Sequence, residues 1–240
     1  MFSLANISMF KIASLEAPFP EVRIMRLTPV DGKIPPYKPG QFVFLHVIEG
    51  GKSVVRRAYS LSSAHSSPYL EFAIQLVGGQ FTGRLERMKP GDMLGVEGPA
   101  GHMVFTGQKK AAFVGGGTGI SPFMGMLRHI EAERIDGEFL LFYSVRTKDR
   151  ILYREELESL QKKHPGIKII ITLTRETDPS WKGEKGRIDC PMVLRHAKVP
   201  ADFDWFICGS PALVKAAREC LQEAGADPKR IKMEGWSALS

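Results

Sequence analysis

The sequence predicts two domains: an antiparallel β-domain over residues 1–107, then an α/β domain with a parallel sheet over residues 108–240. Three observations carry this expectation. The first half breaks into short strand-like segments separated by Pro/Gly turns. After the polar stretch 106–110, apolar strands alternate with amphipathic helices, a pattern that requires a sheet covered on both faces. The chain has 240 residues, enough for two small domains when one takes roughly 100–200.

In the first half, strands are expected at 9–15, 22–28, 41–47, 57–62, 70–77 and 92–97, with one short helix at 81–88. The turns between them are marked by Pro18-Phe19-Pro20, Pro39-Gly40, Glu49-Gly50-Gly51, Pro90-Gly91 and Gly98-Pro99. Short strands at this spacing form a barrel or a sandwich. In the second half, strands are expected at 111–114, 139–143, 167–173, 205–207 and 231–233. Helices are expected at 120–133, where Phe123, Met124, Leu127 and Ile130 share a face, at 153–163, and at 211–224, stopped by Gly225. There is no internal repeat.

Composition excludes several classes. With 43% hydrophobic and 25% charged residues the chain is not disordered. Three cysteines without CxxC spacing give neither a disulfide framework nor a metal cluster, and fit a cytoplasmic location. No apolar run approaches the roughly 20 residues of a membrane span, and no basic segment precedes an apolar one at the N-terminus, so neither membrane insertion nor a signal peptide is expected. The net charge of +7 favours phosphate-bearing ligands or acidic partners. Without a basic run interleaved with aromatics, no nucleic acid is expected. The six histidines show no metal-ligand spacing, so no metal is expected, and a GxSxG nucleophile elbow is absent.

The most informative local feature is Gly115-Gly116-Gly117-Thr118-Gly119-Ile120-Ser121-Pro122, which follows an apolar strand and opens a helix. Glycines there let a ligand approach the backbone, and the helix start offers unpaired N–H groups to a phosphate. The pattern is neither the Rossmann fingerprint nor a Walker A loop. In a doubly wound sheet, ligands lie at the carboxyl ends of the strands. Arg146 and Arg175 follow neighbouring strands there, where an NAD site would carry an acidic ribose-binding residue, and together they suit a 2′-phosphate. Cys208-Gly209-Ser210-Pro211 occupies a fourth strand end. In the first half, Arg57-Ala58-Tyr59-Ser60 and Gly78-Gly79-Gln80-Phe81-Thr82 combine an arginine, hydroxyls and a second helix start. Each feature also has a purely structural explanation: a tight turn, solvated loop arginines, a small buried cysteine, a strand with Arg and Tyr pointing outwards.

Taken together, RAYS at 57–60, GGQFT at 78–82, GGGTGISP at 115–122 and CGSP at 208–211 resemble the ferredoxin–NADP reductase superfamily of flavoproteins, over essentially the whole chain. The resemblance implies a Greek-key barrel holding FAD and an α/β domain holding a nicotinamide dinucleotide. It implies that Arg57, Ala58, Tyr59 and Ser60, with Gly79, Gln80, Phe81 and Thr82, bind FAD: Arg57 and the helix at Thr82 on the pyrophosphate, Tyr59 on the isoalloxazine, Ser60 near its N5. Gly116, Gly117, Thr118, Gly119, Arg146, Arg175, Cys208 and Gly209 would meet NADP or NAD, with NADP favoured by the two arginines. Ser60, Cys208 and Glu234 would form the catalytic set, Cys208 lining the hydride path, and Trp236 would cover the flavin. The function implied is hydride transfer between NAD(P)H and FAD, with electrons exchanged between FAD and a separate, acidic ferredoxin or flavodoxin. The alternative is an electron-transfer subunit of a multicomponent oxygenase or dehydrogenase.

Overall fold

The structure, a computed structural model, describes residues 6–235, which form two six-stranded sheets. The first contains β1 (Ser8–Phe19), β2 (Val22–Pro29), β3 (Phe42–Glu49), β4 (Lys52–Ser60), β5 (Leu70–Gln75) and β6 (Met93–Ala100), with the short helix α1 (Gln80–Leu85) between the last two. The spatial order is β4-β3-β6-β1-β2-β5, all antiparallel, so β6 returns to lie between two hairpins in Greek-key fashion. The outer strands curl towards each other: just past β4, Ser62 N donates to the Glu71 carbonyl at 2.8 Å.

The strand expected at 57–62 begins earlier, at Lys52. Gly50 and Gly51 adopt φ of 57° and 71°, the left-handed pair that a tight hairpin turn needs. This sets Glu49 opposite Lys52. Hairpin pairing with β3 extends the strand across residues whose own pattern is weak.

The second sheet contains β7 (Lys110–Gly116), β8 (Glu138–Val145), β9 (Ile167–Leu173), β10 (Glu184–Lys185), β11 (Asp204–Gly209) and β12 (Ile231–Gly235). Its order is β10-β9-β8-β7-β11-β12, and every neighbouring pair is parallel. Strand residues alternate between two cores. Ala111, Phe113, Phe139, Leu141, Phe206 and Cys208 pack on the side of α2 (Ser121–Ala132) and α3 (Arg154–Lys163). Ala112, Val114, Leu140, Phe142, Trp205 and Ile207 pack on the side of α4 (Cys190–His196) and α5 (Pro211–Glu223). The sequence patterning does not anticipate α4 or β10. Helix α4 did leave a signal: Asp189 caps it, accepting from Met192 N at 2.8 Å, and Pro191 sits in its first turn.

The two sheets share a core. Val22, Ile24 and Ala73 of the first sheet join the apolar cluster around α2. Helix α2 comes so close that a Cβ on Gly125 would lie 2.9 Å from the Leu61 carbonyl oxygen. Only glycine permits that approach, and it brings the start of α2 beside the end of β4.

Candidate functional site: one cleft between the two sheets

The chain order reverses at β7, which has β8 on one side and β11 on the other. Ligands bind outside the carboxyl ends of strands at such a switch point. A cleft of about 1310 Å³ opens there, and its opposite wall is β4, β5 and α1 of the first sheet. That exceeds the roughly 300–1,000 Å³ usual for a small-molecule pocket.

On the first wall, Arg57, Ala58, Tyr59 and Ser60 all line the cleft, together with Gly79, Phe81 and Thr82. The Tyr59 ring rests against Phe81 with centroids 5.4 Å apart, and burial pushes its hydroxyl pKa well up. Arg57 and Arg56 differ in their commitments. Arg56 is held by Glu97 at 2.5 Å and lies over the Phe44 ring. Arg57 donates to the Arg56 carbonyl at 2.8 Å and has no carboxylate partner among the described residues. The short helix expected at 81–88 spans Gln80–Leu85. Gly79 is the N-cap, while Thr82 is buried one turn in, its hydroxyl accepting from Gly79 N at 3.1 Å. Thr82 therefore shapes the turn, leaving the first N–H groups of the helix for a ligand. Gln80 is exposed and does not line the cleft.

On the second wall, Gly116, Gly117, Thr118 and Gly119 line the cleft, with Gly209 beside them. The glycines divide their work. A Cβ on Gly119 would lie 2.5 Å from the Cys208 carbonyl oxygen, and one on Gly116 would lie 2.8 Å from Leu213. These two are needed for packing. Gly117 has φ of 55° with nothing within 4 Å of a Cβ position, and its carbonyl accepts from the Tyr143 hydroxyl at 3.1 Å. It is the glycine that turns open backbone to the cleft. The packing explanation thus accounts for part of the motif only.

Arg146 and Arg175 both reach the cleft and are exposed; Arg175 N donates to the Arg146 carbonyl at 2.8 Å, which fixes the two residues side by side. Neither side chain has a carboxylate partner among the described residues. The adjacent Glu176 is engaged by the backbone amides of Lys148, Thr177 and Asp178, each at 3.0 Å. Asp149 also lines the cleft, with its carboxylate 3.4 Å from Arg150 Nε.

Cys208 is the penultimate residue of β11, paired in register with Gly115, and its side chain is wholly buried beneath the cleft floor. Glu234 lies on β12 opposite Cys208. Its Oε1 is 3.0 Å from where a Gly101 Cβ would sit, and its buried Oε2 has no hydrogen-bond partner among the described residues. Burial pushes this carboxyl up to about 7. Neither Cys208 nor Glu234 lines the cleft. Trp236 lies outside the described residues.

Sequence reading missed Arg150. From the second domain it pairs with Glu21, between β1 and β2, and lies over the Phe19 ring with its guanidinium carbon 5.1 Å from the centroid. This ion pair spans the cleft mouth. The partners are 129 residues apart, so no local pattern marks them.

Two family models account for most of the chain: "Oxidoreductase FAD-binding domain" over residues 20–105 and "Oxidoreductase NAD-binding domain" over residues 113–219. A protein named ferredoxin–NADP reductase B from Sorangium cellulosum is 33% identical over 231 residues, which cover 90% of this chain and 92% of that protein. The chain belongs to the ferredoxin–NADP reductase superfamily. It is an FAD-dependent NAD(P)H oxidoreductase, with FAD- and NAD(P)-binding domains in that order. NADH–cytochrome b5 reductase 2 from Danio rerio is 29% identical over 210 residues, covering 74% of this reductase and 67% of the relative. Among solved structures, the cytochrome b5 reductase domain of Ulva prolifera nitrate reductase superposes with a TM-score of 0.84 over 97% of this chain and 99% of that one, at 24% identity. A Neisseria gonorrhoeae ferredoxin NADP+ reductase, solved with FAD and NADP, gives 0.82 over 96% and 99%, also at 24% identity. At such identity they share the fold. Among the described residues no helix is long and apolar enough to cross a membrane.

Proposed function

We propose that this reductase moves electrons between NADPH and a separate, acidic one-electron carrier of the ferredoxin or flavodoxin type, with the FAD domain ending and the nicotinamide domain beginning at residues 107 and 108. The convergence of β4 and the β7–α2 loop on one cleft carries this reading, because a flavin held by the first wall and a nicotinamide held by the second would be brought within reach of each other. The residues suit FAD: Arg57 has no acidic partner among the described residues, Tyr59 offers an apolar ring face, and the start of α1 opens towards the same cleft. Bound FAD supplies the exchange between a two-electron nicotinamide and one-electron carriers.

The chain's own groups bind and align. Arg57 and the α1 amides hold the FAD pyrophosphate, and Gly79, Gln80 and Phe81 shape that turn. Ala58 and Tyr59 bear on the flavin ring, and the Ser60 hydroxyl is the hydrogen-bond donor at its reactive edge. Gly116, Gly117, Thr118 and Gly119 present backbone to the nicotinamide dinucleotide, and Arg146 and Arg175 grip a 2′-phosphate. Cys208 sets the height of the floor under Gly119 and Gly209. Glu234, poised near neutrality, holds or releases a proton at its carboxyl oxygen. Trp236 is assigned to the flavin face from sequence alone.

A second reading, an electron-transfer component of an oxygenase, draws on structural likeness to the ferredoxin reductase of carbazole 1,9a-dioxygenase, with a TM-score of 0.80. Steady-state assays with NADPH and NADH against ferredoxin, flavodoxin and cytochrome b5 separate the readings. Turnover with ferredoxin or flavodoxin, fastest with NADPH, is expected. Reduction of artificial acceptors only, with none of the three carriers accepted, would sink the first reading.

A further inference from the structure

Behind the cleft, where α2 packs on the first domain, the fold assembles three potential metal ligands that no sequence spacing announces. His129 and Glu133 lie one helical turn apart at the end of α2, and His65 comes from the loop between β4 and β5. The two imidazoles meet with Nδ1 atoms 3.0 Å apart and rings nearly perpendicular at 79°. His65 Nε2 lies 3.8 Å from the Glu133 carboxylate. One donor atom from each of the three side chains lies within 4.8 Å of the others.

We propose that His65, His129 and Glu133 bind a zinc-class divalent cation that staples the FAD domain to α2 of the nicotinamide domain. Two imidazoles and one carboxylate form a donor set suited to zinc and its neighbours, and poorly suited to calcium or magnesium. Zinc–nitrogen bonds of about 2.0–2.1 Å at tetrahedral angles place ligand atoms about 3.3 Å apart. The observed nitrogen separation is already close to that edge. Without a cation, two imidazole nitrogens at 3.0 Å must share one proton; a cation satisfies both lone pairs at once.

The frame is rigid where it matters. His129 also packs edge-on against Phe105. The His65 loop is anchored by the Tyr37 hydroxyl, which donates to the Ala64 carbonyl at 2.7 Å, and by Arg128, which donates to the Ser62 carbonyl at 2.6 Å. The side chains of His65 and Glu133 are 35% and 51% exposed, so both can close on an ion arriving from solvent, with water completing its shell. The site lies outside the cleft, and its test does not depend on turnover.

The test is titration of chelator-treated, FAD-loaded reductase with zinc chloride by calorimetry, and with cobalt(II) followed by the visible bands of a four-coordinate ion. One ion per chain is expected, with a rise in unfolding temperature. His65→Ala and Glu133→Gln, both on exposed side chains, should weaken binding at least about tenfold, the lower end of what even an outer partner of a metal site costs. They should abolish the thermal gain while leaving the metal-free unfolding temperature unchanged. Cys190→Ser should bind as the parent does. No uptake by the parent protein, or uptake that survives both His65→Ala and Glu133→Gln, overturns the proposal.

Discussion

Arg128 on α2 donates to the Glu71 carboxylate on β5 at 2.7 Å, tying together two elements on opposite sides of the domain junction. Glu71 is fully buried and also accepts from Arg26 at 2.8 Å; Arg128 forks onto Glu156 at 2.6 and 2.7 Å. Burial alone would raise the Glu71 pKa, but the Arg128 charge and the hydrogen bonds from Arg128 and Arg26 outweigh it and hold the carboxyl below its ordinary range. Its contribution to stability is therefore complete above the unfolded carboxyl pKa and is lost as pH falls through the lower folded value. Arg128→Met should destabilise the protein by about 3 kcal/mol, because it strands a buried carboxylate. Chemical denaturation should show that loss at pH 7 and a smaller one in acid.

Glu234 titrates in the opposite sense. Its folded pKa is raised from 4.5 to about 7 by burial, so the folded state holds a proton that the unfolded state releases. That contribution is present below pH 4.5 and disappears as pH rises through 7, a change on the order of 3 kcal/mol. Glu234→Gln should flatten the dependence of unfolding temperature on pH between 5 and 8. An unchanged slope in the variant would place the titrating group elsewhere.

Arg57→Ala should loosen FAD. A charge-assisted hydrogen bond contributes about 1.5–3 kcal/mol, so dissociation should be at least roughly tenfold easier. Flavin fluorescence released on dilution measures it. Arg56→Ala, which breaks the Glu97 pair, should lose much less flavin.

Replacing Arg146 and Arg175 together by Ala should raise KM for NADPH about tenfold or more, since each phosphate contact is charge-assisted. KM for NADH should change little. Equal damage to both cofactors would mean that the arginines serve only the shared part of the dinucleotide. Asp149→Asn should then favour NADPH further by removing a like charge from the phosphate's side of the cleft.

The charge of +7 predicts steering of an acidic carrier. Screening acts over about 8 Å at roughly 0.15 M ionic strength. Reduction of an acidic ferredoxin should slow clearly as salt rises, whereas reduction of a small neutral acceptor should barely respond. Identical flat profiles for the two acceptors would exclude guidance by the basic surface.

Local chemistry determined much of this protein. Strand alternation, the Gly/Pro turns and the helices expected from residues 81 and 120 made both layers legible, because each depends on residues within a few positions of one another. The strand-end rule placed Gly117, Arg146 and Arg175 on the cleft, because a parallel sheet has one ligand-binding end. Tertiary structure decided what depends on distance through space. Cys208 is buried under Gly119 because the β7–α2 turn closes on the end of β11 so tightly that a Cβ on Gly119 would lie 2.5 Å from the Cys208 carbonyl oxygen. Thr82 supports a turn because the N-cap falls on Gly79. Glu21 meets Arg150, Glu71 meets Arg128, and His65 meets His129 only where the two domains close on each other. Partners 129, 57 and 64 residues apart leave no periodic trace in the chain, since only the packing of one core against the other sets their separation.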